Sequence, residues 1–222
     1  MSVKVITVGE KILGANEEKA RDNKSRLDEH GILTINIMSS PGAGKTTLIL
    51  STIKNLRKKL RIAVIEGDVA SSVDAEKVNE LGIPVVQINT GGACHLDAFM
   101  VAKALDDLPL KEVDTLLIEN VGNLICPNAF LLGEDKRVMI SSLPEGDDKP
   151  LKYPAMFADT DTVLLNKTDL QPYLDYNTDA FEKAVTGLNP DVVIFPVSCK
   201  TGEGMSAWLA WLESAVKDKK KK

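Results

Sequence analysis

The chain has 222 residues, 44% hydrophobic and 27% charged, a composition that suits one well-buried domain and is short for two. Its net charge of −5 understates the acidity of the body, because five of the 27 basic residues are lysines among the last six positions. So acidic a surface is a poor match for nucleic acid or anionic membrane, and no run approaches the ~20 apolar residues of a membrane span.

At the start of the chain Gly9 and Glu10 interrupt the apolar residues, which makes a poor secretory signal. Cys94, Cys126 and Cys199 are widely spaced and odd in number, as expected of reduced thiols rather than a disulfide framework. A cytoplasmic protein is the simplest expectation. Residues 10–30 read as a highly charged, weakly amphipathic helix with much solvated surface, closed by Gly31. We take 1–222 as a single domain, with 1–31 as a helical extension and 217–222 as a flexible, solvated lysine-rich tail.

Apolar runs follow at 32–38, 62–65, 84–88, 115–118, 137–140, 162–165 and 192–197, several of them continuous and rich in Val and Ile. Strands buried on both faces of a largely parallel sheet have this pattern. Helical stretches alternate with them at 45–58, 72–81, 96–107, 179–186 and 205–216. The prediction is a three-layer α/β fold of the P-loop GTPase kind, with ligands gathered at the carboxyl ends of the strands. Trp208 and Trp211 face the core of the last helix.

The first strand leads into Ser39-Ser40-Pro41-Gly42-Ala43-Gly44-Lys45-Thr46-Thr47 and then a helix. This is a Walker phosphate loop in all but its first position, where Ser39 replaces glycine. Gly42 and Gly44 allow backbone N–H groups to converge on phosphate oxygens, and the helix adds its positive end. Lys45 is placed for the β- and γ-phosphates, and the Thr46 hydroxyl for Mg²⁺. The second strand ends in Glu66-Gly67-Asp68, which offers Asp68 to the Mg²⁺ shell. Asp74 is a lower-ranked candidate, and both acids could instead cap a turn and a helix start.

Cys94-His95 opens the stretch after the third strand, and Cys126-Pro127 lies in the loop that leaves the fourth. An adjacent Cys-His pair alone could be a buried thiol beside a surface imidazole. Two thiolates and an imidazole at strand ends on one side of a sheet suit Ni²⁺ or Zn²⁺ and leave a position open for release. Between these segments, Glu119 ends an apolar strand and Gly122 follows, similar to the DxxG γ-phosphate sensor. Asn123 stands where some GTPases place a water-orienting glutamine, so turnover is expected to be slow, on the order of 10⁻⁴ to 10⁻² s⁻¹. Nucleotide state could move Cys126, only a few residues farther on.

Asn166-Lys167-Thr168-Asp169 at the end of the sixth strand matches the guanine-reading NKxD pattern. One carboxylate at Asp169 pairs with guanine's N1–H and exocyclic amine, whereas adenine would leave it unpaired at a cost of at least ~1–3 kcal/mol. Taken alone, Asp169 could be a helix cap. Ser198-Cys199-Lys200 after the seventh strand resembles the second guanine loop and strengthens the guanine reading.

The blocks SSPGAGKTT, EGDVASSVDAE, GGACHLDAFMV, LLIENVGNLICP, LLNKTDLQPYL and SCKTGEG together resemble the HypB family, the nickel-insertion GTPases of hydrogenase maturation. The resemblance runs from about Leu33 through nearly the whole chain. It implies a GTP/GDP- and Mg²⁺-dependent homodimer that binds Ni²⁺ or Zn²⁺ through Cys94, His95 and Cys126 near the subunit interface. It also implies cooperation with the zinc-containing nickel chaperone HypA, delivery to the [NiFe]-hydrogenase large subunit precursor, and subunit contact through Leu170 and Leu174. Those leucines could equally pack within one subunit. No cysteine precedes Gly31 and no histidine-rich stretch is present, so the likeness is to a minimal form. A urease nickel GTPase would join Cys, Pro and His in one motif, and a small-molecule P-loop kinase gives no reason for NKTD with SCK. A GTP-binding interaction protein that does not switch is the remaining alternative.

Overall fold

The computed structural model describes residues 8–221, with side chains from residue 13. The sequence reading of the first seven residues as a poor signal, and of Lys222 as tail, lies outside these. The predicted strands all form: β1 (Leu33–Ser39), β2 (Ile62–Asp68), β3 (Val85–Asn89), β4 (Thr115–Glu119), β5 (Lys136–Ser142), β6 (Thr162–Asn166) and β7 (Val193–Pro196). They make one sheet of order β3-β2-β4-β1-β5-β6-β7 with every pairing parallel. The helices are α1 (Val8–Asp28), α2 (Lys45–Leu56), α3 (Val73–Asn79), α4 (Ala98–Asp106), α5 (Lys149–Lys152), α6 (Pro154–Ala158), α7 (Thr178–Leu188) and α8 (Met205–Lys219). The short α5 and α6 carry prolines at their starts and are too brief to show a helical period in sequence.

Alternation along β1 divides the core. Ile35 and Ile37 pack with Leu48, Ile49 and Ile53 of α2 and with Trp208 and Leu212 of α8. On the other face Ile65, Leu116 and Ile118 meet Val101 and Leu105 of α4 and Leu27 of α1. Met38, Met139 and Leu165 complete that face against Phe157 of α6 and Phe181 of α7. Trp208 is fully buried, stacks on Trp211 and donates its indole N–H to Thr52 Oγ1 at 2.9 Å. After β1 the chain places β2 and β3 on one side, returns to insert β4 beside β1, and then adds β5, β6 and β7 on the other side. Its direction reverses there, and a crevice opens at the carboxyl ends of β1 and β4.

Two expectations change at the ends of the chain. Helix α1 closes at Gly31, whose φ of 62° lets Ile32 N–H reach back to Leu27 O at 3.1 Å. Its solvated face is as expected, but the extension packs firmly on the body, since Asn16, Ala20, Asn23 and Leu27 are all buried. Lys217, Asp218, Lys220 and Lys221 are exposed as expected of a solvated tail, but α8 continues through Lys219, which is held against the body. Lys219 sits at 9% exposure between Asp28 and Asp135, and Lys220 reaches Asp114 at 2.7 Å. The sequence reading missed these partners because all three acids lie far from the lysines in the chain.

Candidate nucleotide and metal centre

The loop after β1 wraps a cavity of about 510 Å³ lined by Gly42, Gly44, Lys45, Thr46, Thr47, Gly67, Asp68, Asp74, Glu119 and Gly122, among others. Gly44 has a φ of 111°, and a Cβ there would lie 2.4 Å from Asn166 Nδ2, so glycine is required on both counts. Ser39 is buried with its hydroxyl turned onto Ser40 O at 2.6 Å, and Lys45 Nζ donates to Ser39 Oγ at 3.1 Å. The residue that departs from the Walker pattern therefore braces the lysine. Ser40 Oγ is joined to Glu145, which also accepts from Ser142 N–H at 2.7 Å and so ties the loop to the end of β5. Gly122 packs directly on Pro41, with 3.0 Å from its would-be Cβ to the proline Cα.

Thr46 Oγ1 lies 3.0 Å from both Asp74 Oδ2 and Glu119 Oε1. Asp68 has the lesser share in this cluster: its Oδ1 accepts from Ala70 N–H at 2.9 Å and Ser71 N–H at 2.7 Å, the turn-capping alternative named for it. Of the two aspartates it is Asp74, ranked below Asp68 in sequence, that touches Thr46 beside Glu119, and Lys77 holds its other oxygen at 2.7 Å.

Glu66 is the residue that sequence reasoning passed over. It pairs in register with Glu119 across β2 and β4 and is 2% exposed. Burial first, then the charge of Glu119 and a hydrogen bond between the two, push its carboxyl well above the usual range. Burial also raises Glu119, against the pull of Lys45. The buried Glu66 Oε1 and Glu119 Oε2 have no hydrogen-bond partner among the described residues. Two unsatisfied carboxyl oxygens beside a threonine hydroxyl are hard donors that fit Mg²⁺. The available signal was that the apolar runs 62–65 and 115–118 are each followed directly by a glutamate.

On the other side of the loop, Asn166 Nδ2 donates to Ala43 O at 2.9 Å, and Lys167 Nζ to Gly42 O at 2.7 Å. Lys167 has a φ of 64°, the one described non-glycine residue in the left-handed region. Such strain persists where surrounding structure fixes it, often at functional sites. Asp169 Oδ1 accepts from Ser198 Oγ at 2.7 Å, which orients the carboxylate. Cys199 N–H donates to Asn166 Oδ1 at 3.1 Å, while its thiol packs inward 3.9 Å from Met205 Sδ. Burial pushes that thiol up to about 12. Lys200 is exposed in the same loop.

Cys94, His95 and Cys126 come together with all three ligand atoms within 4.8 Å of one another. The two Sγ atoms are 2.9 Å apart, and Cys94 Sγ is 3.7 Å from His95 Nδ1. The His95 ring stacks on Phe130 at 3.9 Å between centroids, and burial holds its pKa below the ordinary value, which favours the neutral, ligating imidazole. The Cys94 thiol beside it, then burial, raise Cys126. Asn123 spends its side-chain oxygen on Ile125 N–H at 2.8 Å, shaping the turn before Cys126.

Comparison with known proteins follows the same residues. A family model described as the CobW/HypB/UreG nucleotide-binding domain matches residues 33–196. The hydrogenase maturation factor HypB of Rhizobium leguminosarum bv. viciae is 49% identical over 95% of this chain and 70% of its own. The probable hydrogenase maturation factor HypB of Methanocaldococcus jannaschii is 42% identical over 98% of this chain and 99% of its own. A crystal structure of HypB from Helicobacter pylori in complex with nickel superposes with a TM-score of 0.88 at 36% identity, covering 92% of this chain and 96% of that one. The HypB structure from Archaeoglobus fulgidus gives a TM-score of 0.86 at 38% identity, over 91% of this chain and 99% of its own. With matches of this extent in both sequence and structure, the chain belongs to the HypB family of hydrogenase maturation factors.

Proposed function

We propose that this chain is a GTP-hydrolysing metallochaperone switch whose nucleotide state sets the grip of Cys94, His95 and Cys126 on Ni²⁺ or Zn²⁺. Lys45 and the loop N–H groups bind the β- and γ-phosphates, Gly122 reports on the γ-phosphate, and Asp169 reads guanine. Thr46 and Glu119, with Asp74, Asp68 and Glu66 around them, would hold Mg²⁺, which neutralises phosphate charge when bound. Lys45, Thr46, Glu119 and Asp68 form the catalytic group in this reading, and intrinsic turnover is slow.

One observation carries the coupling. Asn120, fully buried between Glu119 and Val121, accepts two backbone N–H groups on a single oxygen. Val121 N–H donates to Asn120 Oδ1 at 2.9 Å, and Leu96 N–H donates to the same atom at 3.1 Å. Its amide nitrogen is spent on Asn36 Oδ1 at 3.1 Å. The residue before Gly122 and the residue after His95 therefore share one acceptor. A shift of the sensor segment with the γ-phosphate must move the Cys-His segment or break a buried bond.

The nickel complex of the Helicobacter pylori relative supports nickel as the cargo. In the same reading the protein works as a homodimer, with HypA and the [NiFe]-hydrogenase large subunit precursor as partners. Leu174 at 36% exposure and Tyr173 at 81%, beside Leu170, offer an apolar surface for the subunit contact. No described helix is long and apolar enough to cross a membrane.

Titrating Ni²⁺ into wild type and Cys126→Ala, each loaded with GDP or a slowly hydrolysed GTP analogue, tests the proposal. Nucleotide-dependent affinity in wild type and its loss in the variant are expected. Identical binding in all four samples would refute it.

A further inference from the structure

Helix α1 buries an unusual face. Its inward positions are Asn16, Ala20, Asn23 and Leu27, and both asparagines are only 2% exposed. An amide taken out of water is costly unless it is hydrogen-bonded, and leucine at either position would dock a helix at less cost. What the two amides hold is therefore informative. Asn16 Oδ1 accepts from Ala98 N–H at 2.8 Å, and Asn16 Nδ2 donates to Leu131 O at 2.8 Å. Asn23 Nδ2 donates to Ala98 O at 2.8 Å and to Leu132 O at 3.0 Å.

Each asparagine thus grips the same two segments. Ala98 begins α4 just after Cys94 and His95, and Leu131 and Leu132 follow Cys126 in the segment that runs toward β5. Gly133 shows how closely the second segment is pressed on the helix: its φ is 101°, and a Cβ there would lie 2.8 Å from Ala20 O and from Asn23 Cβ. Phe130, the neighbour of Leu131, is the ring on which His95 stacks. One path from Asn16 to the His95 imidazole therefore runs through Leu131 and Phe130, and a second through Ala98 and the two residues before it.

We propose that α1 is a clamp that sets the spacing of the three metal ligands, with Asn16 and Asn23 as its positioning residues. The proposal rests on the reading of Cys94, His95 and Cys126 as a metal site. It gives the N-terminal helix a task that the nucleotide side of the molecule does not need. Outer partners of ligating groups typically change metal affinity by ~10–100-fold when removed, and these amides act at the level of the segments that carry the ligands.

The test uses the full chain with Asn16→Leu and Asn23→Leu, which keep the face buried and remove the bonds. Arg26→Ala is the control. Arg26 also fastens α1 to α4, through Asp106 at 2.7 Å and Leu105 O at 3.1 Å, but at the far end from the ligands. Two quantities are read: Ni²⁺ affinity by competition with a chromophoric chelator, and capture of phenylarsine oxide by the metal-free thiols. The arsenical exchanges its oxygen for two thiol sulfurs and releases water, so it reports thiol spacing without metal. Both asparagine variants should lose ~10-fold or more in each readout, with guanine-nucleotide binding intact. Arg26→Ala should lower the Tm and leave both readouts at wild type. If the leucine variants do not fold, Asn16→Ala and Asn23→Ala remove the same bonds without adding bulk, keep a strong helix former at each position, and should show the same loss at the thiols. Asparagine variants that bind Ni²⁺ and the arsenical like wild type would overturn the clamp. A wild type that captures the arsenical but not Ni²⁺ would remove the metal reading, and the clamp would then stand or fall on the arsenical alone.

Discussion

At the phosphate end of the centre, Lys45 is 8% exposed and braced by Ser39, and Gly44 is locked against Asn166. At the metal end, Cys94, His95 and Cys126 are half-buried on two loops that share no backbone ladder. The first is a preformed cradle that follows from one contiguous motif at the end of a central strand. In the reading proposed above, the second is assembled from two loops that Asn120 bonds from one side and Asn16 and Asn23 from the other. A rigid nucleotide cradle beside a metal site assembled from separable parts is what a device needs if nucleotide chemistry is to alter metal grip.

The sharpest way to test this division is to disable one end and read the other. Lys45→Ala removes the cation aimed at the phosphates and should cut GTP hydrolysis by ~10²–10³-fold, measured as phosphate release. Ni²⁺ affinity of the nucleotide-free protein should be unchanged. A parallel collapse of metal binding would show that the two ends are one folding unit.

The ends should also differ in pH dependence. Cys94 and Cys126 must lose protons to ligate, and the proximity of the two thiols raises Cys126. His95 is held below its usual pKa, so above neutrality it has no proton to lose. Apparent Ni²⁺ affinity should rise with pH, by up to ~100-fold per unit while two thiol protons are released. GDP affinity over the same range should stay nearly flat. A flat nickel profile in chelator competition would mean that the thiols are not the ligands.

On the base side, Asp169→Asn keeps the shape of the loop and replaces the double acceptor that guanine's donors need. Ser198 orients this carboxylate, so the loss should be specific: GDP affinity falls ~10–100-fold by calorimetry, while inorganic phosphate in the loop is unaffected. Equal affinity for guanine and adenine nucleotides in wild type would remove Asp169 from that role.

What could be read in the sequence follows the same division. All seven strands and the phosphate loop were legible, because continuous Val/Ile runs and a Gly-rich turn before a helix are local signals. Cys94, His95 and Cys126 could be nominated from chemistry, yet their meeting within 4.8 Å needed the sheet order. That Asp74 and not Asp68 touches Thr46 was hidden, since it depends on how α3 turns relative to α2. Asn16 and Asn23 looked like solvated residues of a charged helix, because nothing local shows that an asparagine will be buried against partners far along the chain. Lys219 misled for the same reason, with Asp28 and Asp135 remote in sequence.

The smallest expected effect probes the phosphate end itself, where Glu66 makes the cradle less settled than its glycines suggest. Burial and the neighbouring Glu119 raise the Glu66 carboxyl well above the usual range, so the folded chain holds a proton that the unfolded chain releases near about pH 4.3. Above the unfolded value, and until that raised carboxyl titrates, the folded state binds more protons, and stability therefore falls as pH rises. Glu66→Gln carries no titrating group and should escape that slope. The variant should match wild type near pH 4 and exceed it by ~1–2 kcal/mol at pH 8 in denaturant melts without nucleotide or Mg²⁺. The gain should shrink when Mg²⁺ and GDP are added to wild type, because a bound cation would favour the ionised carboxylates. Parallel pH profiles for variant and wild type would show that Glu66 is not the residue holding the proton.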